Sequence, residues 1–156
     1  MLRWLWLSAL VLVLDQVSKL WVDHAFRLHE SLQLTPFFNL TYLRNTGAAF
    51  SFLGDAGGWQ RWLFMGLALA ASVLLGWWLW TLQCGKRLEA AGIALILGGA
   101  LGNLIDRTLY GYVIDFFDFH VGTWHFAAFN VADSAITVGV GLLLLDSLLN
   151  GAEKEA

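Results

Sequence analysis

The sequence predicts an all-α membrane protein of four transmembrane helices, with a small β-sheet and a second extramembrane loop on the outer side. Three observations predict it. Charged residues make up only 13% of the 156, against roughly 25% in an ordinary soluble domain. Hydrophobic residues make up 58%, with nine Trp and eleven Phe, and the mean hydropathy is +0.64. A soluble fold of this length needs more polar surface to cover such a core. Finally, the apolar residues gather into four stretches of spanning length, with acids recurring at one depth. The length suits a single domain across residues 1–156.

The first span is expected over about 4–23. Arg3 followed by Trp4 to Leu14 has the look of a secretory leader. However, Asp15, Gln16, Ser18 and Lys19 stand where a small-residue cleavage site is needed, so the segment reads as a retained helix. A polar stretch over about 25–60 follows. Within it Leu32, Leu34 and the run Phe37 to Tyr42 suggest short strands, Pro36 an edge or turn, and Asn45-Thr46-Gly47 a turn before Ala48 to Leu53. The second span, about 62–83, lies in an uncharged run from Trp62 to Gly85, long enough to cross a hydrocarbon core of ~30 Å. The third and fourth spans are expected over about 90–109 and 130–149. The outer segment between them, about 110–129, is read as a loop carrying Asp115 and Asp118.

Taking Arg3, Glu89 and Asp146 as marks of the inner surface, a rise of 1.5 Å per residue puts Asp15 ~18 Å, Asp106 ~25 Å and Asp133 ~20 Å above it. Three helices thus carry acids to the same outer half of the membrane, where ionisable side chains are costly and tend to be functional. Orientation is carried mainly by the tight Cys84-Gly85-Lys86-Arg87 connection, because Arg27, Arg44, Arg61 and Arg107 on the other side dilute the positive-inside bias.

In the fourth span Asn130, Asp133, Ser134, Thr137 and Gly141 share one helical face, and in the third span Gly99, Gly102, Asn103 and Asp106 repeat that spacing. Small residues let membrane helices approach closely, so the two faces are expected to pack with their polar groups turned inward. Paired carboxylates that share a proton suit activation of water against a carbonyl. Asp133 is one member, and Asp115 and Asp106 compete to be the other. Asp15 and Lys19, at i and i+4, are spaced for an ion pair, either as a brace for the outer sheet or as plain charge compensation. Arg107 has the choice of snorkelling to the lipid surface or holding a substrate carbonyl or lipid phosphate. His120 and His125 flank Trp124 without a third ligand at metal-binding spacing, so no metal is expected. Ser134 and Ser18 with Lys19 make a weak serine–lysine alternative. A transporter or lipid-binding protein whose acids relay protons is the rival outside enzymes.

A net charge of −3 without any basic run excludes nucleic acid as a partner. The single Cys84 supports neither an internal disulfide nor a thiolate cluster.

Five blocks resemble the signatures of bacterial lipoprotein signal peptidase (signal peptidase II), in order and at similar spacing. They are Leu14-Asp15-Gln16-Val17-Ser18-Lys19, Arg44-Asn45-Thr46-Gly47-Ala48-Ala49-Phe50-Ser51, the run from Gly98 through Asn103, Asp106 and Arg107, Val113-Ile114-Asp115-Phe116, and Phe129-Asn130-Val131-Ala132-Asp133-Ser134. The resemblance implies a multi-pass protein of the bacterial inner membrane. Both termini would be cytoplasmic, with a periplasmic sheet that cradles substrate and an aspartyl dyad near the outer surface. It implies Asp115 and Asp133 as that dyad, Asn45, Asn103, Asp106, Arg107 and Asn130 as site-lining residues, and Asp15 and Lys19 as supporting ones. The implied substrate is a prolipoprotein carrying diacylglycerol on its lipobox cysteine, cut just before that cysteine without a cofactor. Globomycin-type peptides are the implied inhibitors.

Overall fold

A computed structural model describes residues 1–47 and 58–152. Four long helices make up most of it: α1 (Leu5–Ala25), α2 (Trp59–Thr81), α3 (Arg87–Leu109) and α4 (Val131–Ala152). All four are long and apolar enough to cross a membrane. Their large side chains point outward, among them Trp6, Val13, Val17, Leu67, Val73, Leu74, Leu144 and Leu148. Such an inside-out pattern is stable only when the solvent is lipid. Exposed Trp6 and Trp21 on α1, and Trp62 and Trp77 on α2, are each fifteen residues apart, or ~22 Å along the axis. They form two belts of the kind that mark the membrane–water interfaces.

Helix α3 is the axis of the bundle. Of its most apolar window 56% is buried, against 11% for α2. Two seams run along it. Gly98 and Gly102 face α1: a Cβ on Gly98 would meet the Ser8 carbonyl, and one on Gly102 would meet the Asp15 carboxylate. Gly92 and Gly99 face α4, where a Cβ on Gly99 would strike the backbone oxygen of Ala132. The face expected from Gly99, Gly102, Asn103 and Asp106 is therefore split between two neighbours. A related correction applies to α4. Its packing face is Ala132, Ile136, Gly139 and Leu143, one step round from the polar stripe, and Gly141 faces open space. The stripe of Asp133, Ser134 and Thr137 is left to line a cleft. At one end of the bundle Leu79, Leu82, Ala90 and Ile93 close the core with Met1, Trp4, Leu75 and Leu143. This places the start of α1, the end of α2 and the start of α3 together.

At the other end lies an antiparallel sheet of order β1-β2-β3-β4: β1 (Ser31–Thr35), β2 (Phe38–Asn45), β3 (Val113–Val121) and β4 (Trp124–His125). Pro36 and Phe37 form the β1–β2 turn. The segment Ala48 to Leu53, expected to follow the turn at Asn45-Thr46-Gly47, lies outside the described residues. The second outer segment is not a plain loop. Residues 113–121 form an inner strand, paired with β2 through Leu40↔Phe117, Leu43↔Asp115 and Asn45↔Val113. Between the first two of these pairs β2 holds one residue more than β3, a β-bulge. The sheet is seated on the helices by Val22, Tyr42, Ile114 and Phe116.

The two kinds of glycine predict opposite outcomes. Gly99→Val forces α3 and α4 apart and lowers stability by about 1–3 kcal/mol or more, read as a fall in Tm in detergent. Gly141→Ala leaves Tm unchanged or slightly higher.

Candidate active site

Asp133 sits in the first turn of α4, and a reciprocal cap fixes it. The Asp133 backbone N–H donates to Asn130 Oδ1 at 3.0 Å, and the Asn130 backbone N–H donates to Asp133 Oδ2 at 3.3 Å. Asp115 comes from strand β3, not from a loop, and the ladder to β2 holds its backbone through the pair Leu43↔Asp115. Its carboxylate accepts Asn45 Nδ2 at 3.0 Å and Asn130 Nδ2 at 2.8 Å. Asn130 is fully buried. One carboxamide thus touches both aspartates, donating to Asp115 while its oxygen caps Asp133.

Asn103 supplies the remaining contact, from Nδ2 to Asp133 Oδ1 at 2.8 Å. Asn45 is held by its own turn, its Oδ1 accepting the Gly47 N–H at 2.9 Å. All these side-chain donors converge on the two carboxylates. Burial, followed by the charge of Asp133, pushes the Asp115 carboxyl up to about 7, against the opposing pull of Asn45 and Asn130. Asp115 is 3% exposed and Asp133 half-buried, so the pair is asymmetric in solvation.

Both aspartates line a cleft of about 500 Å³ with Asn45, Asn103 and Arg107. Its far walls are Val113, Phe126 to Phe129, Ile136 and Val138. Val138 is more than half exposed on the lipid-facing side of α4, so the cleft runs from the carboxylates to the membrane. Arg107 does not snorkel. Its Nη2 donates to the Gly47 carbonyl at 3.0 Å, its Nη1 to the Asn103 carbonyl at 3.4 Å, and its guanidinium lies 5.5 Å from the Phe64 ring centre.

Asp106 does not join the pair. It is 1% exposed and accepts Lys19 Nζ at 3.0 Å, Gln16 Nε2 at 2.9 Å and the Ile114 N–H at 3.2 Å. Asp15 and Lys19 form the expected ion pair at 2.8 Å, and Asp15 also accepts the Ala132 N–H at 2.9 Å. The ion pair therefore braces the start of α4 and, through Asp106, the start of β3. The serine–lysine alternative has no geometry behind it. Ser134 Oγ donates to the Asn130 carbonyl and Ser18 Oγ to that of Asp15.

His125 pairs with Asp118 at 2.8 Å and stacks on His120. Burial raises the Asp118 carboxyl, but hydrogen bonds from His125, Asn39 and Thr41 outweigh it and hold the group below its ordinary value. Among the described residues no three His, Cys, Asp or Glu side chains are arranged to hold a metal ion.

Sequence reasoning missed several residues. Gln16 donates to Asp106 and to the Gly102 carbonyl. Arg61 caps the end of α3 through the Arg107 and Thr108 carbonyls. Tyr42 donates to Asp23 and accepts from Arg44 Nε. Burial and the Asp23 carboxylate push its phenol up to about 12, so it stays a donor. None of these contacts has a local sequence signal; the Asn130-x-x-Asp133 spacing, a capping-box pattern, signals only the Asn130–Asp133 cap.

Residues 7–149 match the family described as signal peptidase (SPase) II. The lipoprotein signal peptidase of Yersinia enterocolitica serotype O:8 / biotype 1B is 54% identical over 155 residues, covering 99% of this chain and 92% of its own length. That of Shewanella sediminis is 60% identical over 156 residues, covering 99% and 87%. A bacterial membrane enzyme solved by the in meso method at 2.3 Å resolution matches with a TM-score of 0.86 at 30% identity, over 97% of this chain and 91% of that one. The chain belongs to the signal peptidase (SPase) II enzyme family.

The raised Asp115 predicts a pH signature. Folded Asp115 holds its proton up to about 7, whereas its ordinary value is 3.8. Its contribution to stability is therefore full below about pH 4 and is lost as the pH rises through about 7. Over that window the unfolding free energy of Asp115→Asn gains on wild type by up to ~4 kcal/mol. Denaturation at pH 4, 5.5, 7 and 8.5 in detergent measures the gain; a constant difference contradicts it.

Proposed function

We propose that this chain is an aspartyl endopeptidase that removes signal peptides from diacylglyceryl-modified prolipoproteins, cutting on the amino side of the lipidated cysteine. The observation that carries the reading is Asn130, whose one buried carboxamide binds both Asp115 and Asp133 in an apolar cleft open to lipid. Such a cleft suits a substrate that is part peptide and part acyl chain. The names of the relatives agree with that substrate.

Chemically, two neighbouring carboxylates share one proton. Asp115, the more deeply buried, carries it and donates to the scissile carbonyl oxygen. Asp133 takes a proton from the attacking water, and a tetrahedral diol forms. Its collapse passes a proton to the cysteine nitrogen and breaks the C–N bond. Asn45, Asn103 and Asn130 keep the carboxylates oriented, and Arg107 offers guanidinium N–H groups to a peptide carbonyl in the same cleft. Asp15, Lys19 and Asp106 support the frame. Globomycin-type peptides would inhibit by filling the cleft.

The same reading puts the chain in the bacterial inner membrane with both termini cytoplasmic and the site near the periplasmic surface. Arg3, Lys86 and Arg87 lie at the end opposite the sheet. Of the arginines at the sheet end, Arg44, Arg61 and Arg107 are engaged by Tyr42, the end of α3 and Gly47, so they serve structure rather than topology. Asp115 and Asp133 sit on a strand and a helix cap, and neither needs a large movement to meet.

The test is gel-shift cleavage of a diacylglyceryl-prolipoprotein in detergent. Asp115→Asn and Asp133→Asn fold but lose cleavage by about 10³-fold or more, and Ser134→Ala cuts at a rate near wild type. Retained cleavage in Asp115→Asn removes Asp115 from the pair. Failure of the wild type to cut any lipidated substrate removes the peptidase reading and favours a lipid-binding or transport role.

A further inference from the structure

We infer that Lys19 is a positioning residue for both aspartates, setting their placement through three separate connections; the inference rests on Asp115 and Asp133 being the catalytic pair. Lys19 is 2% exposed, in the middle of a protein where an unpaired ammonium is untenable. Its three donors have three acceptors: Asp15 at 2.8 Å, Asp106 at 3.0 Å and Asn103 Oδ1 at 2.9 Å.

Each acceptor leads to one of the pair. Asp15 accepts the N–H of Ala132, the residue before Asp133. Asp106 accepts the N–H of Ile114, the residue before Asp115. Asn103 reaches Asp133 itself, from Nδ2. An ammonium has no acceptor, so the atom of Asn103 that faces it must be the carboxamide oxygen, and the NH₂ is thereby committed to Asp133. Asn130 Nδ2 supports the same orientation at 3.3 Å.

A lysine present only to neutralise a buried acid would need one carboxylate. Here it collects two, from different helices, together with an amide that carries no charge. Gly102 makes the arrangement possible, since any side chain there would occupy the place of the Asp15 carboxylate. The three connections run to α4 twice and to β3 once, the two elements that supply the pair.

The experiment is a double-mutant cycle on the full chain, combining Lys19→Met with Asn103→Ala. It reads kcat and KM on a diacylglyceryl-prolipopeptide, and Tm for each variant. Each single substitution lowers kcat by about 10²-fold, the size of effect expected for misplacement of reacting groups, and leaves KM within about threefold. The double variant is scarcely slower than the worse single, because the connection that Asn103→Ala removes is one of the three that Lys19→Met removes. Lys19→Arg recovers part of the loss. Should Lys19→Met fail to fold, the cycle is run in the Asp15→Asn background, where fewer carboxylates are left unpaired. Losses that multiply, a change confined to KM, or a lowered Tm with unchanged kcat each overturn the inference and leave Lys19 a purely structural cation. Asp133→Asn in the same assay separates the two levels: if it still cleaves, the catalytic pair itself is wrong, whatever Lys19 does.

Discussion

The sheet end of this bundle depends on one buried charge cluster, Lys19 with Asp15 and Asp106. In lipid, helices gain little from burying apolar surface against one another, so association rests on close packing and on polar contacts that have nowhere else to go. Helix α1 illustrates the point. It is joined to α3 by Ser8 Oγ donating to the Ala94 carbonyl at 2.7 Å and, eleven residues on, by Lys19. These two attachments lie ~16 Å apart along the helix, enough to fix both its tilt and its rotation. Gly98 and Gly102 between them bring the backbones near enough for either attachment to form.

The site inherits its asymmetry from this frame. Asp133 belongs to a helix cap and Asp115 to a strand, and six of the seventeen residues between them in sequence are Phe or Trp. Phe117, Phe119 and Phe126 each contact Phe129, an apolar cluster beside the cleft. Burial of that kind costs a carboxylate more than a carboxyl, and it falls more heavily on Asp115 than on Asp133. The fold therefore sets apart two side chains that are chemically identical.

The four helices and the sheet were legible because they rest on hydropathy and turn residues, which are local. Pro36 and the alternation around it were enough to place the first hairpin. The strand 113–121 was not legible as one. Val113 to Phe116 alternate between burial against Val22 and Tyr42 and burial at the cleft, so both faces are apolar or acidic there and the period is lost. The small-residue faces were read correctly as contact surfaces but with the wrong partners. Spacing tells which residues share a face, and neither seam can be assigned to a neighbour until the helices are arranged. That same limit left Asp106 and Asp115 as equal candidates: both are acids near the sheet end, and what separates them is that Lys19 from another helix reaches Asp106 while amides reach Asp115. The five blocks of family resemblance supplied the missing choice.

The extra residue that β2 carries opposite β3 has a consequence of parity. Paired residues in a sheet project to the same face, so the pairing Asn45↔Val113 puts Asn45 on the face of Asp115. Counting back from Leu40↔Phe117 without the extra residue, the position opposite Val113 would be that of Arg44. A guanidinium would then stand beside the Asp115 carboxyl and hold it ionised, while Asn45 turned toward Tyr112. One inserted residue therefore decides whether an amide or a fixed cation reaches the Asp115 carboxyl, and so whether that group keeps its raised hold on a proton. A deletion in this strand, even one far from either aspartate in sequence, would act as a change of charge.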